Sequence, residues 1–506
     1  MLPASRPLRD RDVSPLWPAL AVMSIAAVAF AAGLPNGRLS DDALLLQERL
    51  IDVRAPSLAA LFGQSYWADL HDSGLYRPLA LVALSAERSL FGLSNVPYHI
   101  VNLALHALCS LLALRLLRRF TVAPVAIAGA LLFAAHPIHA EAVTTIYGQQ
   151  DLLAALFFLI SLTLYLDAGS GASSIRVAII GLSFLASLLC KEQGILLPVL
   201  AAFLRFQEQP AHDRRFQFQP RDVALLLAFG LYICLRIFAL GPDVVPSGDA
   251  SVVHGYPWWA RVNVVIVSVG TYLRLLVFPW GQTTYYGHLR DSLFGLPLIE
   301  SAAILAAVAL FGPLQRWLGK GTIAFAYAFL ATTLLPVANV LPIGVVVAER
   351  CLYLPALAVS LVIAASVYCA VPARRHAPAV VAAALVMAGL VLSTRVAFRW
   401  RTPLRHWETT AADHPRSAGA HARFALFLLS DLGQKRAPPR DPGYGRADAA
   451  IERALQINPR QPDGWHARGV LALMRGDCAA AIPALQRALT LRPADPEIGR
   501  LLGACR

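Results

Sequence analysis

Charge is scarce in this chain: 15% of its 506 residues are charged, against 57% that are hydrophobic. A soluble domain carries about 25% charged residues, so a soluble globular protein is excluded and a multispan membrane protein is indicated. Lysine is nearly missing. Lys191, Lys320 and Lys435 are set among 44 basic residues, the rest of them arginine. That bias fits a bacterial genome rich in GC. Seven cysteines occur without a Cys-x-x-Cys spacing, which indicates neither a zinc site nor a dense disulfide framework. Cys478 and Cys505 share the tail, where pairing is one option. The net charge of +13 does not point to nucleic acid, because the arginines gather in short loops between apolar runs, where they set membrane orientation.

What is present is a succession of apolar runs. Spans are expected at about 15–33, 97–116, 121–138, 151–168, 175–190, 194–206, 222–240, 294–313, 322–342, 352–371 and 377–395. Some fall short of the roughly 20 residues that an upright helix needs. Arg6, Arg9 and Arg11 precede the first run, which reads as a retained helix that also targets the chain. With the N-terminus cytoplasmic, Arg115, Arg118, Arg119, Arg205, Arg214, Arg215, Arg221, Arg316, Lys320, Arg374 and Arg375 all fall inside, as the positive-inside rule requires. The loop 34–96, with seven acidic residues against five arginines, is then the first periplasmic loop, and the C-terminal region is periplasmic too. Segments 78–93 and 261–280 are amphipathic, interrupted by Glu87, Arg88, Arg261 and Arg274, and are expected to lie along the outer surface.

This topology gathers ionisable residues at one face. Asp41 and Asp42 follow the first span; His136, His139, Glu141 and Asp151 lie between the third and fourth. Lys191 and Glu192 precede the sixth, and Glu349 and Arg350 precede the tenth. Such residues are costly between membrane helices and mark a functional site by default. A transporter would spread them through the depth of the bilayer.

After Arg399 the apolar runs give way to amphipathic segments. The stretches Ala449–Pro459 and Ala481–Pro493 align, and their closing prolines are 34 residues apart, the tetratricopeptide period. Trp465, Gly469, Ala481, Leu485, Ala488 and Pro493 take the positions that this repeat requires. The Pro/Gly-rich stretch 437–446 reads as a loop interrupting an earlier unit. The expected fold is therefore all-α: a polytopic helical bundle over 1–398 with about 11 spans, and a short periplasmic α-solenoid over 399–506. The solenoid is a docking arm, with a capping role as the alternative.

Several motifs resemble a known family. They are Tyr76-Arg-Pro-Leu79, Tyr98-His-Ile-Val-Asn-Leu103 with His106, His136-Pro-Ile-His-Ala-Glu-Ala-Val143, Tyr147-Gly-Gln-Gln-Asp-Leu-Leu153, Lys191-Glu-Gln-Gly194 and Glu349-Arg-Cys-Leu-Tyr-Leu-Pro355. Their order is similar to that in the transmembrane and tetratricopeptide-repeat O-mannosyltransferases of eukaryotes and their bacterial relatives, which belong to the GT-C glycosyltransferases. Gly148-Gln149-Gln150-Asp151 stands where that family has glycine-arginine-alanine-aspartate. The resemblance implies a GT-C-like bundle in a bacterial inner membrane. It also implies transfer of mannose or a similar hexose from a polyprenyl phosphate, at the periplasmic face, to a protein or glycan acceptor recruited by the repeats. The absence of a recognisable nucleotide-sugar loop agrees with a lipid donor.

Such chemistry needs a base for the acceptor hydroxyl and cations for the departing phosphate. Asp41 and Asp42 stand where GT-C enzymes keep an acidic pair, and adjacent carboxylates repel, which raises one pKa. Either is a candidate base. Arg350 and Lys191, with Arg77 and Arg274 behind them, are candidates for the phosphate; the alternative is an internal ion pair of Glu349 with Arg350, and pairing of Lys191 and Glu192 with other buried charges. His136, His139 and Glu141 are ligand types for a possible divalent metal, or shape the loop by hydrogen bonding. Asp151 pairs with a cation or contacts the acceptor, and its adjacent glutamines suit sugar hydroxyls. No other cofactor is indicated. The competing reading is a non-catalytic membrane scaffold whose repeats assemble an envelope or secretion complex.

Overall fold

An apolar run inside a bilayer can satisfy its backbone only as a helix or a closed barrel, and here every regular element among the described residues is helical. The computed structural model describes residues 16–43, 45–46, 57–67, 74–169, 171–209, 217–242, 257–286, 289, 297–341, 345–371, 376–438, 440–493 and 495–505. Arg6, Arg9, Arg11, Arg214, Arg215, Arg374 and Arg375 of the topology reading lie outside them.

Two units are distinct, one of 1–280 with 295–398, the other of 281–294 with 399–506. In the first, the helices are α1 Trp17–Phe30, α2 Ser40–Ala43, α3 Leu58–Phe62, α4 Pro78–Phe91, α5 Asn95–Phe120, α6 Ala123–Ala134, α7 Ala140–Thr144 and α8 Gln149–Asp167. They continue as α9 Ser174–Cys190, α10 Leu197–Glu208, α11 Pro220–Leu240, α12 Trp258–Val277, α13 Leu298–Leu318, α14 Lys320–Leu334, α15 Pro355–Ala370 and α16 Ala377–Arg399. Among the described residues seven helices are long and apolar enough to cross a membrane, or eight if the bent pair Ala123–Ala134 and Pro137–Thr144 counts as one span. The chain is a multi-pass membrane protein.

The expected spans need correcting in three places. The run 121–138 breaks: α6 stops at Ala134, and a 42° bend separates it from Pro137–Thr144. Pro137 has no N–H to continue the helix. The run 194–206 begins as a 3₁₀ turn, Glu192–Leu196, before a 12-residue α10. The third concerns α12, expected as an interfacial helix: at 20 residues it is long and apolar enough to cross a membrane. Ser268 donates to Val346 O (2.8 Å), Tyr272 accepts from Ala348 N–H (3.1 Å) and Leu276 O accepts from His136 (3.0 Å). Those partners lie beside Glu349 and Glu141, at one end of the bundle.

The same end collects the irregular backbone. Short 3₁₀ turns Ala31–Gly33, Pro137–His139, Glu192–Leu196, Leu335–Val337 and Glu349–Leu352 adjoin α1, α6, α10, α14 and α15 there. Non-helical backbone at membrane depth is tolerated only where protein covers it or a polar cavity is lined.

The second unit comprises α17 Pro403–Asp413, α18 Ala418–Gln434, α19 Pro442–Ile457, α20 Pro462–Met474, α21 Cys478–Leu491 and α22 Pro496–Gly503. Each of Thr402, Ser417, Asp441, Asp477 and Asp495 caps the helix that follows it with its side-chain oxygen, supplying an acceptor for the N–H groups that a helix start leaves unpaired. The stretch 437–446, expected as a loop, is half helical: Asp441 caps α19 and Pro442 opens it, a position where a missing N–H costs nothing. A Cβ on Gly469 would lie 2.5 Å from Leu485, so glycine sets the close packing of α20 on α21. Cys478 and Cys505 form a disulfide.

Candidate functional site

Every residue from Phe133 to Leu152 is buried, although the stretch carries His136, His139, Glu141, Gln149, Gln150 and Asp151. Burying so many polar groups is unfavourable unless each is paired, and the pairing explains their spacing. Glu141, in the first turn of α7, accepts the Arg350 backbone N–H (2.8 Å), the Tyr147 hydroxyl (3.0 Å) and the Arg350 guanidinium. The Tyr147 ring lies 5.1 Å beneath that guanidinium. Gly148 then turns the chain into α8; a Cβ there would stand 2.3 Å from Ala142 O.

The acidic pair joins this turn through the backbone. Asp42 is fully buried, and its carboxylate accepts Tyr147 N–H (2.8 Å) and Leu39 N–H (3.3 Å). Burial pushes Asp42 up to about 7, against the lowering effect of those two N–H groups. The two acids therefore differ in burial, Asp42 being fully buried and Asp41 half-buried.

Two further ion pairs border the cluster. Lys191 is paired with Asp151, both side chains buried. Arg77 donates to Glu192 (2.8 Å) and to Gln150 Oε1 (3.0 Å), with its guanidinium 5.7 Å over the Tyr66 ring. Gln149 donates to Glu87 (2.7 Å), a carboxyl that burial holds up at about 7. The two glutamines, expected to suit sugar hydroxyls, are thus engaged with protein. Of the expected residues, Asp42, Glu141, Asp151, Lys191, Glu192, Arg77 and Arg350 are linked by these contacts. Glu349 is buried beside Arg350. Arg274 is turned elsewhere, toward Trp280 O at 3.3 Å.

His136 is committed to backbone groups, whereas His139 is held by ring contacts. His136 accepts Ile138 N–H at Nδ1 (3.2 Å) and bonds Leu276 O through Nε2 (3.0 Å). His139 packs among His106, Phe133 and Tyr353, with ring centroids 5.3, 4.6 and 4.6 Å away. Among the described residues no three His, Cys, Asp or Glu side chains are grouped to hold a metal.

Tyr147, Tyr66 and Glu87 join the site without having been singled out as site residues. Tyr147 stood within a quoted motif, where its role as the link between Asp42 and Glu141 had no separate signal. Tyr66 comes from a loop with no periodic pattern.

No protein-family model matches the chain. Curated proteins do. Protein O-mannosyl-transferase TMTC3 of Mus musculus is 26% identical over 392 residues, covering 68% of this chain and 41% of that protein. Protein O-mannosyl-transferase TMTC4 of Homo sapiens is 28% identical over 405 residues, covering 67% and 54%. Protein O-mannosyl-transferase F38B6.6 of Caenorhabditis elegans is 23% identical over 428 residues, or 81% of this chain. This chain is a relative of that family. It spans about half the length of these relatives.

Proposed function

We propose that this chain is a membrane glycosyltransferase that moves a hexose, mannose first among the candidates, from a polyprenyl phosphate to a hydroxyl of a polypeptide or glycan acceptor. The observation that carries this reading is the acidic pair, half-buried Asp41 and buried Asp42, joined through Asp42 and Tyr147 to the Glu141–Arg350 cluster at one irregular end of a membrane bundle. The names of the relatives support the same class of reaction. Asp41 is the general base. Asp42 is a positioning residue, its carboxylate fastening the Tyr147–Gly148 turn. In a single displacement, the acceptor oxygen attacks the anomeric carbon while Asp41 takes its proton. The bond from that carbon to the phosphate oxygen breaks, and the polyprenyl phosphate leaves with the electron pair, so the anomeric configuration inverts. Arg350, the most exposed of the three paired cations at 20% of its side chain, meets the phosphate; Arg77 and Lys191 hold the surrounding carboxylates in place. Arginine suits that role because its planar fork grips two phosphate oxygens at once.

The bacterial inner membrane, with the N-terminus cytoplasmic and the repeats periplasmic, is the setting we infer. The disulfide Cys478–Cys505 favours an oxidising compartment for the repeat unit. Arg115, Arg118, Arg119 and Arg205, at the far ends of their helices from the acidic pair, favour a cytoplasmic location for that end.

A scaffold reading draws on one observation: all three cations already have carboxylate partners, so the cluster is complete as a structural element. The test uses purified protein in detergent with polyprenyl-phosphate sugars, mannose included. Donor turnover that is lost in Asp41→Asn, with folding retained, establishes the enzyme. Full complementation of a deletion strain by Asp41→Asn and Asp42→Asn would instead establish the scaffold.

A further inference from the structure

The repeat unit contains a piece of chain from more than a hundred residues upstream. Gly281–Tyr286 belongs to it, and Gln282, Thr283 and Tyr286 are buried there. The segment has neither helix nor strand and is held at both ends. Gly281, at a positive φ of 70°, presents its carbonyl to His414 Nε2 at 3.0 Å. The Thr284 hydroxyl meets His406 Nε2 at 2.8 Å. Burial and the nearby Arg399 and Arg423 push His406 down to about 3, so its ring stays neutral for that hydrogen bond.

The next side chain enters a notch shaped for it. The Tyr285 ring lies edge-on to Trp407 with centroids 6.3 Å apart, and the Arg423 guanidinium sits 5.1 Å above it. A Cβ on Gly419 would fall 2.3 Å from the Tyr285 ring, so glycine is what opens the notch. Gly419 and Arg423 are four residues apart on α18 and so share one face. Arg423 also reaches Asp463 (3.3 Å), at the start of α20. The notch therefore lies on the row formed by the first helices of successive repeats, a surface type that solenoid proteins use for binding.

We propose that this face of α17 and α18 is a polypeptide-binding surface. It reads a hydroxyl-bearing residue at His406 and an aromatic one at the Gly419 notch, and Gly281–Tyr286 occupies it as an internal stand-in for the acceptor. That the exchanging polypeptide is the acceptor rests on the glycosyltransferase reading; the binding surface does not.

The experiment uses the full-length protein in detergent and a fluorescent peptide carrying the sequence of residues 281–286. Tyr285→Ala empties the notch, so the peptide should bind that variant at least ~10-fold more tightly than wild type, whose own segment competes. Adding Gly419→Leu should abolish the binding, as should replacing the Tyr285 equivalent in the peptide by alanine. Thr284→Val, which removes only one hydrogen bond, gives a second route if Tyr285→Ala misfolds; it should raise affinity by a smaller factor. No gain in a folded variant overturns the proposal and makes the segment a fixed part of the fold. Gain of binding without sugar transfer to the peptide would leave the surface standing and count against the transferase. Sugar transfer to other acceptors without peptide binding would do the reverse.

Discussion

At one end of the membrane unit, Arg115, Arg119 and Arg205 meet Asp167, Glu208 and Asp222; at the other, Arg77, Lys191 and Arg350 meet Glu192, Asp151 and Glu141. The residue types are the same, but the backbone beneath them differs. Arg115, Arg119, Asp167, Arg205 and Glu208 all stand in the closing turns of regular helices, α5, α8 and α10. Arginine there complements the negative end of the helix dipole. At the acidic-pair end, 3₁₀ turns and helix starts carry the charges, and the backbone itself donates to them, as Arg350 N–H does to Glu141 and Tyr147 N–H to Asp42. At the other end Asp222 alone of the named residues is held this way, in the first turn of α11, by Gln219 N–H (2.7 Å). Ion pairing alone therefore does not mark a site. What marks it is charge held on irregular backbone that the surrounding fold must pin in place.

The largest expected effect tests whether chemistry is confined to one end. Asp41→Asn should lower donor turnover by about 10²- to 10⁴-fold, the range for loss of a general base, with unchanged thermal unfolding. A silent Asp41→Asn alongside a dead Asp42→Asn would exchange the roles given to the two acids.

Next come two substitutions that are matched in energy but differ in place. Glu141→Gln and Asp222→Asn each remove the charge of one partner in a buried pair, the side chain of Asp222 being 8% exposed and that of Glu141 2%. Leaving a buried charge without its partner costs about 3–5 kcal/mol, and both variants should show it in denaturation. Only Glu141→Gln should also abolish turnover, because it releases Arg350 and Tyr147 together. Loss of turnover in a folded Asp222→Asn would erase the distinction between the ends.

A smaller effect should appear with pH. Burial raises Asp42 from 3.8 to about 7, so between those values the folded state binds the proton that the unfolded state has lost. Stability from this group therefore falls as pH rises from about 4 to 7 and is level above that. Asp42→Asn should flatten that part of the stability curve measured by thermal shift. An unchanged slope would mean that Asp42 is ionised throughout.

Much of this was legible from residue patterns. Apolar runs and arginine-rich loops gave the bundle, and prolines 34 residues apart gave the repeats. The gathering of Asp41, Glu141, Asp151, Lys191 and Arg350 at one face was expected from a count of about 11 spans, where seven or eight helices among the described residues are long and apolar enough to cross. Partners did not follow. Arg77 with Glu192 and Glu141 with Arg350 are separated by 115 and 209 residues, and no local period encodes such distances. Nor did the pattern of α12 settle its placement: the charges within it suggested an interfacial helix, yet it is long and apolar enough to cross. The Gly281–Tyr286 segment was invisible for a different reason: Gly419 reads as a small helical residue until a distant tyrosine fills the space.

The smallest expected effect is the sharpest control on the comparison. Arg115 pairs with Asp167 at 2.7 Å, yet their side chains are 63% and 33% exposed. Water competes for both groups, and ordering two long side chains offsets most of the attraction. A double-mutant cycle of Arg115→Ala and Asp167→Ala should therefore give a coupling of no more than ~1 kcal/mol. Raising the salt to about 1 M shortens the screening length to roughly 3 Å and should weaken that coupling further. Turnover should not change in either variant. A coupling of several kcal/mol that persists in salt would mean that the arginine end is as rigidly organised as the acidic-pair end, and irregular backbone would then lose its standing as the feature that tells the two apart.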